Sequence, residues 1–233
     1  MKKNILILAF FATFFSVFAQ KTQKKQKIAA PSVEQTDPAA QALLDKIRQK
    51  YEGYTNLEAD FSLSIEMPNQ KKEVQTGKMF QSGERYRVNL ADQEVICDGK
   101  STYLYLKKNK EVQINDAESS SAANSFSPKA MLRLYNQGNF ICYSAGSGEE
   151  AGKQVTFIEV KPTDRNNSPY SKFRIAVDKK NDQIVSMFTV NRDGSRFKLS
   201  ISKLLTSKAI PESKFNFDKA NYPGVHVEDL RTN

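Results

Sequence analysis

The chain has 233 residues, enough for one domain or at most two small ones. One histidine and two cysteines exclude a His-rich zinc site, a zinc ribbon and a scaffold of several disulfides. The net charge is +9, but residues 1–34 contain six lysines and one glutamate, so more than half of the excess precedes Gln35. The positive net charge of the whole chain therefore does not indicate a nucleic-acid partner.

The first residues have the pattern of an export signal. Lys2 and Lys3 precede an apolar run from Ile5 to Phe18, which is shorter than the roughly 20 residues needed to span a bilayer. We expect residues 1–19 to be a signal peptide, cleaved near Ala19 and Gln20. No cysteine follows the run, so the mature protein is expected to be a soluble protein of an exported compartment, without a lipid anchor of its own.

Residues 20–36 are polar, lysine-rich and aperiodic, which predicts a disordered basic linker ahead of a single domain over 37–233. Two interpretations of its lysines stay open: a solvated tether, or a polybasic contact with an anionic membrane surface.

The domain begins with a predicted helix. Asp37 is a candidate N-cap, Pro38 stands at the first helical position and Gly53 is a candidate C-cap. The apolar positions recur at helical spacing: Ala40, Leu43, Leu44, Ile47 and Tyr51. Such an amphipathic helix needs an apolar surface to pack against.

After this helix the hydrophobic period changes to two. From Leu57 to Met67 every odd position is apolar and every even one polar, which predicts a long antiparallel strand with one dry face. Further strands are predicted over 74–81, 85–90, 94–97, 102–107, 111–114, 154–160, 172–177, 183–190, 196–203 and 215–217. Ser127-Pro128 begins a second short helix that ends at Gly138.

Together these elements predict an α+β domain. Its centre is a strongly curved antiparallel sheet, an incomplete or half β-barrel of about 11 strands, with helices covering the open mouth.

The sequence offers little catalytic chemistry and indicates no metal or cofactor. The stretch Gly146–Lys153 misses both the dinucleotide and the P-loop patterns and is interpreted as a surface loop. His226 is the only imidazole, and without a GxSxG elbow it is interpreted as a residue of a C-terminal strand or loop. Cys97 and Cys142 are expected to be either an opportunistic disulfide or two buried thiols. We expect a protein that is not an enzyme.

Several short segments together resemble a known family. They are, in chain order, Leu57–Phe61, Gly77–Phe80, Glu84–Val88, Cys97–Tyr105, Ser127-Pro128 with Met131-Leu132, and Phe215–Phe217 followed by Pro223–Val225. Their order and spacing resemble those of the outer-membrane lipoprotein carrier proteins, the LolA-like family, from about Leu43 to Arg231.

The resemblance implies a periplasmic chaperone that works as a monomer. It would accept an acylated lipoprotein from an inner-membrane lipoprotein-releasing transporter, shield the acyl chains in an apolar cavity and release them at the outer membrane. One feature departs from the family, whose proteobacterial members have an Arg-Pro pair that helps to latch the lid. This sequence has Ser82–Tyr86 instead, so only the aromatic residue is carried over, to Tyr86.

Three groups of apolar residues are predicted to line that cavity and bind lipid. They are Phe61, Leu63 and Ile65 on the first strand, Tyr86 and Val88 on the third, and Met131, Leu132 and Leu134 on the second helix. The competing interpretation is an ordinary core between helices and sheet. Two other functions stay open: a lipid- or glycolipid-binding sensor on the same fold, and an exported hydrolase that uses His226.

Overall fold

The computed structural model describes residues 35–117 and 140–231, except 165, 167 and 169. The second predicted helix therefore lies outside the described residues. The described part contains α1 (Pro38–Glu52) and twelve strands. The strands are β1 (Asn56–Glu66), β2 (Glu73–Ser82), β3 (Arg85–Leu90), β4 (Gln93–Cys97), β5 (Ser101–Leu106), β6 (Glu111–Asp116), β7 (Phe140–Glu150), β8 (Lys153–Pro162), β9 (Tyr170–Asp178), β10 (Ile184–Asn191), β11 (Arg196–Leu205) and β12 (His226–Asp229).

The helix begins and ends where the sequence predicts. Asp37 accepts a hydrogen bond from the Ala39 N–H at 2.9 Å, Pro38 occupies the first turn and the Gly53 N–H returns to the Gln49 carbonyl. The same periodicity that predicts this helix places its apolar side in the core of the domain.

All twelve strands form one sheet in the order β12-β6-β5-β4-β3-β2-β1-β11-β10-β9-β8-β7. Neighbouring strands are antiparallel, except that β12 runs parallel to β6. Strand β1 lies near the middle and pairs with β2 from Asn56 to Ile65 and with β11 from Glu58 to Glu66. Its eleven alternating residues therefore hold the two halves of the sheet together.

The predicted strongly curved half-barrel is wrong in its curvature. The sheet is mixed and open, with β12 and β7 as its two edges, and it is neither closed nor strongly curled. A physical reason is that both faces carry packed layers. The helix α1 joins the main core on one face, whereas Phe215 from the C-terminal segment is fully buried against the other. A barrel would enclose only one interior.

Two local predictions are also wrong. Phe215–Phe217 is not a strand, because Glu212–Phe215 forms a 3-10 turn that inserts the Phe215 ring into the core. Gly146–Lys153 is not a surface loop, because β7 continues to Glu150 and turns at Ala151 and Gly152 into β8. Strand β7 passes this region with a register shift between Ser144 and Ser147, where Gly146 has a φ of 88°.

The two cysteines, Cys97 and Cys142, are free and buried, which selects the buried-thiol alternative. Cys142 lies under the first turn of α1, and its Sγ donates to Gln41 Oε1 at 3.2 Å. Burial, together with the charges of Asp37 and Asp45, raises the pKa of this thiol.

Candidate functional site: an apolar sheet face beneath one helix

Four of the predicted lipid-binding residues lie together on one face of the sheet. Phe61 and Leu63 from β1, with Tyr86 and Val88 from β3, are at most 6% exposed and belong to one apolar cluster. Ile65 is partly buried and packs against that cluster. Met131, Leu132 and Leu134 lie outside the described residues.

This face, which we call the apolar face, extends well beyond β1 and β3. Side chains from β1 to β4 and from β7 to β11 contribute to the same cluster. They include Met79, Leu90, Val95, Ile158, Val160, Phe173, Ile175, Met187, Leu199 and Ile201. The even-numbered residues of β1, such as Ser62 and Ser64, point to the opposite face, as alternation requires.

Helix α1 supplies the other side of this layer. Leu44, Ile47 and Tyr51 are at most 1% exposed and join the same cluster as the sheet residues. The helical spacing predicts that α1 needs an apolar surface, but α1 is not among the lining elements predicted from the sequence. The spacing of its apolar residues was the signal that could have placed it there.

Polar contacts at both ends fasten α1 to the β7–β10 half of the sheet. At its start, the Asp37 N–H donates to the Cys142 carbonyl of β7 at 2.8 Å. At its end, the Tyr51 hydroxyl accepts from the Ile184 N–H of β10 at 3.0 Å, and burial raises the pKa of this tyrosine. Lys46 forms an ion pair with Asp182 at 2.7 Å.

A glycine on β2 allows one ring of the apolar face to lie flat. Gly77 pairs with Phe61 on β1 and with Leu90 on β3. A Cβ at position 77 would lie 2.5 Å from Phe61 Cζ and 2.8 Å from both Leu90 Cδ2 and the Asn89 carbonyl oxygen. The Phe61 ring therefore occupies the space that any other residue at this position would fill.

The arginines of β3 point away from the apolar face. Arg85 forms a two-bond ion pair with Glu212, and its guanidinium lies 5.3 Å from the centre of the Phe215 ring. Both partners belong to the C-terminal segment on the opposite face. Arg85 is thus a clamp for that segment, and the described residues show it in no contact with α1.

Arg87 extends this clamp into a half-buried polar network. It bonds Glu94 on β4, the Lys214 carbonyl at 3.2 Å and the Tyr222 hydroxyl at 3.1 Å. Tyr222 in turn donates to Glu94 at 2.8 Å. Burial and the neighbouring Glu94 carboxylate raise the pKa of Tyr222 to about 12.

Two other features do not have the character of a lipid shelter or an active site. An open cleft of about 700 Å³ lies between two turns at one end of the sheet, and its lining includes Glu66, Lys72, Asp193 and Arg196. His226 lies exposed on the edge strand β12. Among the described residues no group of acidic, histidine and cysteine side chains is arranged to hold a metal ion.

One family of known proteins matches most of this chain. The family model "Outer membrane lipoprotein carrier protein LolA" matches residues 52–218. The chain belongs to this family. The match begins at the last residue of α1 and ends before β12, so it is shorter than the stretch from Leu43 to Arg231 expected from the sequence.

Individual relatives of this LolA family member are distant. An uncharacterised protein of Methanocaldococcus jannaschii is 24% identical; the alignment covers 94% of this chain and 65% of that relative's length. A crystal structure of an uncharacterised conserved protein from Thermus thermophilus shares the fold, with a TM-score of 0.53, 9% identity, and coverage of 83% of this chain and 99% of that one.

A crystal structure of LprF from Mycobacterium bovis is also similar, with a TM-score of 0.48 and 10% identity over 76% of this chain and 98% of that one.

The described residues contain no helix long and apolar enough to cross a bilayer.

Proposed function

We propose that this chain is a periplasmic carrier that shields the acyl chains of lipoproteins and transfers them from the inner to the outer membrane. In this proposal it works as a monomer, without a cofactor and without catalytic chemistry. It receives its cargo from an inner-membrane lipoprotein-releasing transporter. Membership of the LolA family supports a lipoprotein- or lipid-binding role.

The observation that carries the proposal is the width of the apolar face relative to α1. Nine strands contribute to the buried cluster, and at about 4.8 Å per strand they span roughly 40 Å. The fifteen residues of α1 form a cylinder about 22 Å long and about 10 Å wide. One such helix is narrower than this face, whose side chains are nevertheless at most 8% exposed, so in the proposal the acyl chains enter a layer that is already shielded from water.

The fastening of α1 fits a shelter that loads and unloads. The polar contacts that hold α1 join Asp37 to Cys142, Lys46 to Asp182 and Tyr51 to Ile184, and all three lie on the β7–β10 half. The face of β2–β4, with Met79, Val88 and Val95, lies on the other side of β1. Each acyl CH₂ removed from water contributes about 0.8 kcal/mol, so a lipid chain gains much from this surface.

The experiment compares two neighbouring residues of β1 on opposite faces. Ile65 is partly buried on the apolar face, whereas Ser64 is partly buried on the other. We expect Ile65→Glu to keep the fold and to bind a fluorescent acyl probe at least tenfold more weakly, because an unpaired charge on this face opposes acyl contact. Ser64→Glu should bind as the wild type does.

The nature of the cargo is tested on the protein purified from cells. Mass spectrometry should find an acylated protein bound to the wild type and lost from the Ile65→Glu variant. Free lipid without protein would favour the sensor module instead. An empty protein whose esterase activity disappears in His226→Ala would favour the hydrolase. Equal probe binding by the Ile65→Glu and Ser64→Glu variants would remove the apolar face from the proposal.

A further inference from the structure

Two adjacent turns at one end of the sheet combine exposed apolar side chains with basic ones. Residues 67–72, between β1 and β2, and the first two residues of β2 are all exposed, and they include Met67 at 40% and Val74 at 59% exposure. The only other large apolar residues classed as exposed in the described part of the chain are Leu205 and Leu230. Half of that small set therefore flanks a single turn.

The second turn, between β10 and β11, packs against the first. A Cβ on Gly194 would lie 3.4 Å from Pro68 Cγ, and the cleft of about 700 Å³ separates the two turns on one side. We call residues 66–74 and 192–196 together the tip. Asn69 and Gly194 both have positive φ, so each turn reverses sharply and projects its side chains.

The charges of the tip favour an anionic partner. Lys71, Lys72, Arg192 and Arg196 are exposed, against the carboxylates of Glu66, Glu73 and Asp193. The carboxylate of Glu66 is paired with two of these cations, Lys72 and Arg196, whereas Lys71 and Arg192 form no ion pair with another described residue. Glu66 contacts Lys72 at 2.9 Å and Arg196 at 3.9 Å, Asp193 accepts from Ser195 N at 2.8 Å, and Glu73 accepts from Gln75.

The described chain begins at the same end of the sheet as the tip. The chain enters α1 beside the start of β7, where the Asp37 N–H bonds Cys142. Because β7 is antiparallel to β8 and the alternation continues to β1, the start of β7 and the end of β1 lie at the same end of the sheet. The described chain therefore begins at the end of the sheet that carries the tip.

We propose that the tip docks onto the surface of an anionic lipid bilayer. Met67, Pro68 and Val74 enter the interface, while the lysines and arginines meet the phosphates. Each basic residue near an anionic surface contributes about fivefold in affinity. With two exposed large apolar side chains and two cations outside ion pairs, Lys71 and Arg192, docking is weak and reversible, as a shuttling protein requires. The proposal goes beyond cargo binding and does not depend on it.

The test is flotation of the predicted mature chain, from Gln20, with vesicles of phosphatidylcholine alone or mixed with phosphatidylglycerol. We expect Met67→Ser with Val74→Ser to lower the partition coefficient on the mixed vesicles at least fivefold. The matched control is Leu205→Ser with Leu230→Ser, which removes the other two exposed apolar side chains and should change nothing. Lys71→Gln with Arg192→Gln should weaken binding to mixed vesicles only.

Two results would overturn the proposal. In the first, the Met67 and Val74 double variant, folded by circular dichroism, floats as well as the control pair, so that residues 20–34 or another surface hold the vesicle. In the second, the wild type self-associates in sedimentation without lipid and only the tip variant is monomeric, so that the tip is an interface between two copies. Binding of an acyl probe, measured on the same samples, keeps a failure of docking separate from a failure of the carrier function.

Discussion

Gly77→Ala is expected to destabilise the domain through the Phe61 ring. The new methyl would lie 2.5 Å from Phe61 Cζ and 2.8 Å from the Asn89 carbonyl oxygen, a backbone atom in the neighbouring strand that cannot move by itself. Overpacking of this kind costs about 1–3 kcal/mol, and the stiffer unfolded chain returns about 0.4–1 kcal/mol. We expect a net loss of about 1–2 kcal/mol of unfolding free energy, which lowers Tm by about 2–8 °C.

Urea denaturation of the wild type and four variants measures this effect. Phe61→Leu removes the ring that the methyl would meet, so the double variant should lose less than the sum of the two single losses, by at least about 0.5 kcal/mol. Thr76→Ala, the exposed neighbour of Gly77 on the opposite face, is the control and should stay within about 0.5 kcal/mol of the wild type. Strict additivity, or a Gly77→Ala protein as stable as the wild type, would refute the reasoning.

The remaining predictions concern buried titratable groups on both faces. Burial and Glu94 raise the pKa of Tyr222. The contribution of this tyrosine to the free energy of unfolding is therefore present below a pH of about 10 and is lost as the pH rises towards 12. Because Tyr222→Phe removes the titrating group, the urea midpoint of this variant should fall less steeply over that range. Burial alone would raise the pKa of Glu159, but hydrogen bonds from Tyr143 and Arg174 hold it below its ordinary value. The contribution of Glu159 to the free energy of unfolding is therefore lost as the pH falls below about 4. The urea midpoint of a Glu159→Gln variant should accordingly fall less than that of the wild type as the solution is acidified. Cys97 and Cys142 should not react with Ellman's reagent in the folded protein and should both react in urea, whereas a single reactive thiol at native conditions would contradict their burial.

The sequence predicts best those elements whose side chains repeat along the strand or helix. The alternation over β1 identifies the strand and the face on which Phe61 and Leu63 are buried, because burial on one side requires that period. The apolar spacing of α1 works in the same way. Residues such as Tyr86 and Val88 could therefore be assigned to the apolar face without knowledge of the neighbouring strands.

The alternation of apolar and polar side chains does not determine the curvature of the sheet, and glycines make a strand difficult to recognise in the sequence. Alternation with a period of two shows which side chains share a face of the sheet. The bend of the sheet depends instead on what packs on both faces. The layer around Phe215 leaves no periodic pattern in the sequence. In β7, Gly146 and Gly148 carry no side chain, and the register shift before Ser147 interrupts the alternation. Phe215 and Phe217 imitate a strand because they are two residues apart, but only Phe215 belongs to the 3-10 turn, and Phe217 follows the turn and stacks on Tyr103 at 4.9 Å.

Strand β3 explains why the family's arginine latch has no counterpart among the described residues. Tyr86 and Val88 point to the apolar face, so alternation sends Arg85 and Arg87 to the other. There they hold Glu212, Lys214 and Tyr222 of the C-terminal segment. An arginine at these positions could reach α1 only if β3 slipped by one residue, and that slip would expose Tyr86 and Val88. The two arginines therefore hold the C-terminal segment on the other face of the sheet, whereas α1 is held by Asp37, Lys46 and Tyr51. In the proposed carrier, movement of α1 away from the apolar face should therefore depend on its contacts with β7 and the β9–β10 turn, and not on β3.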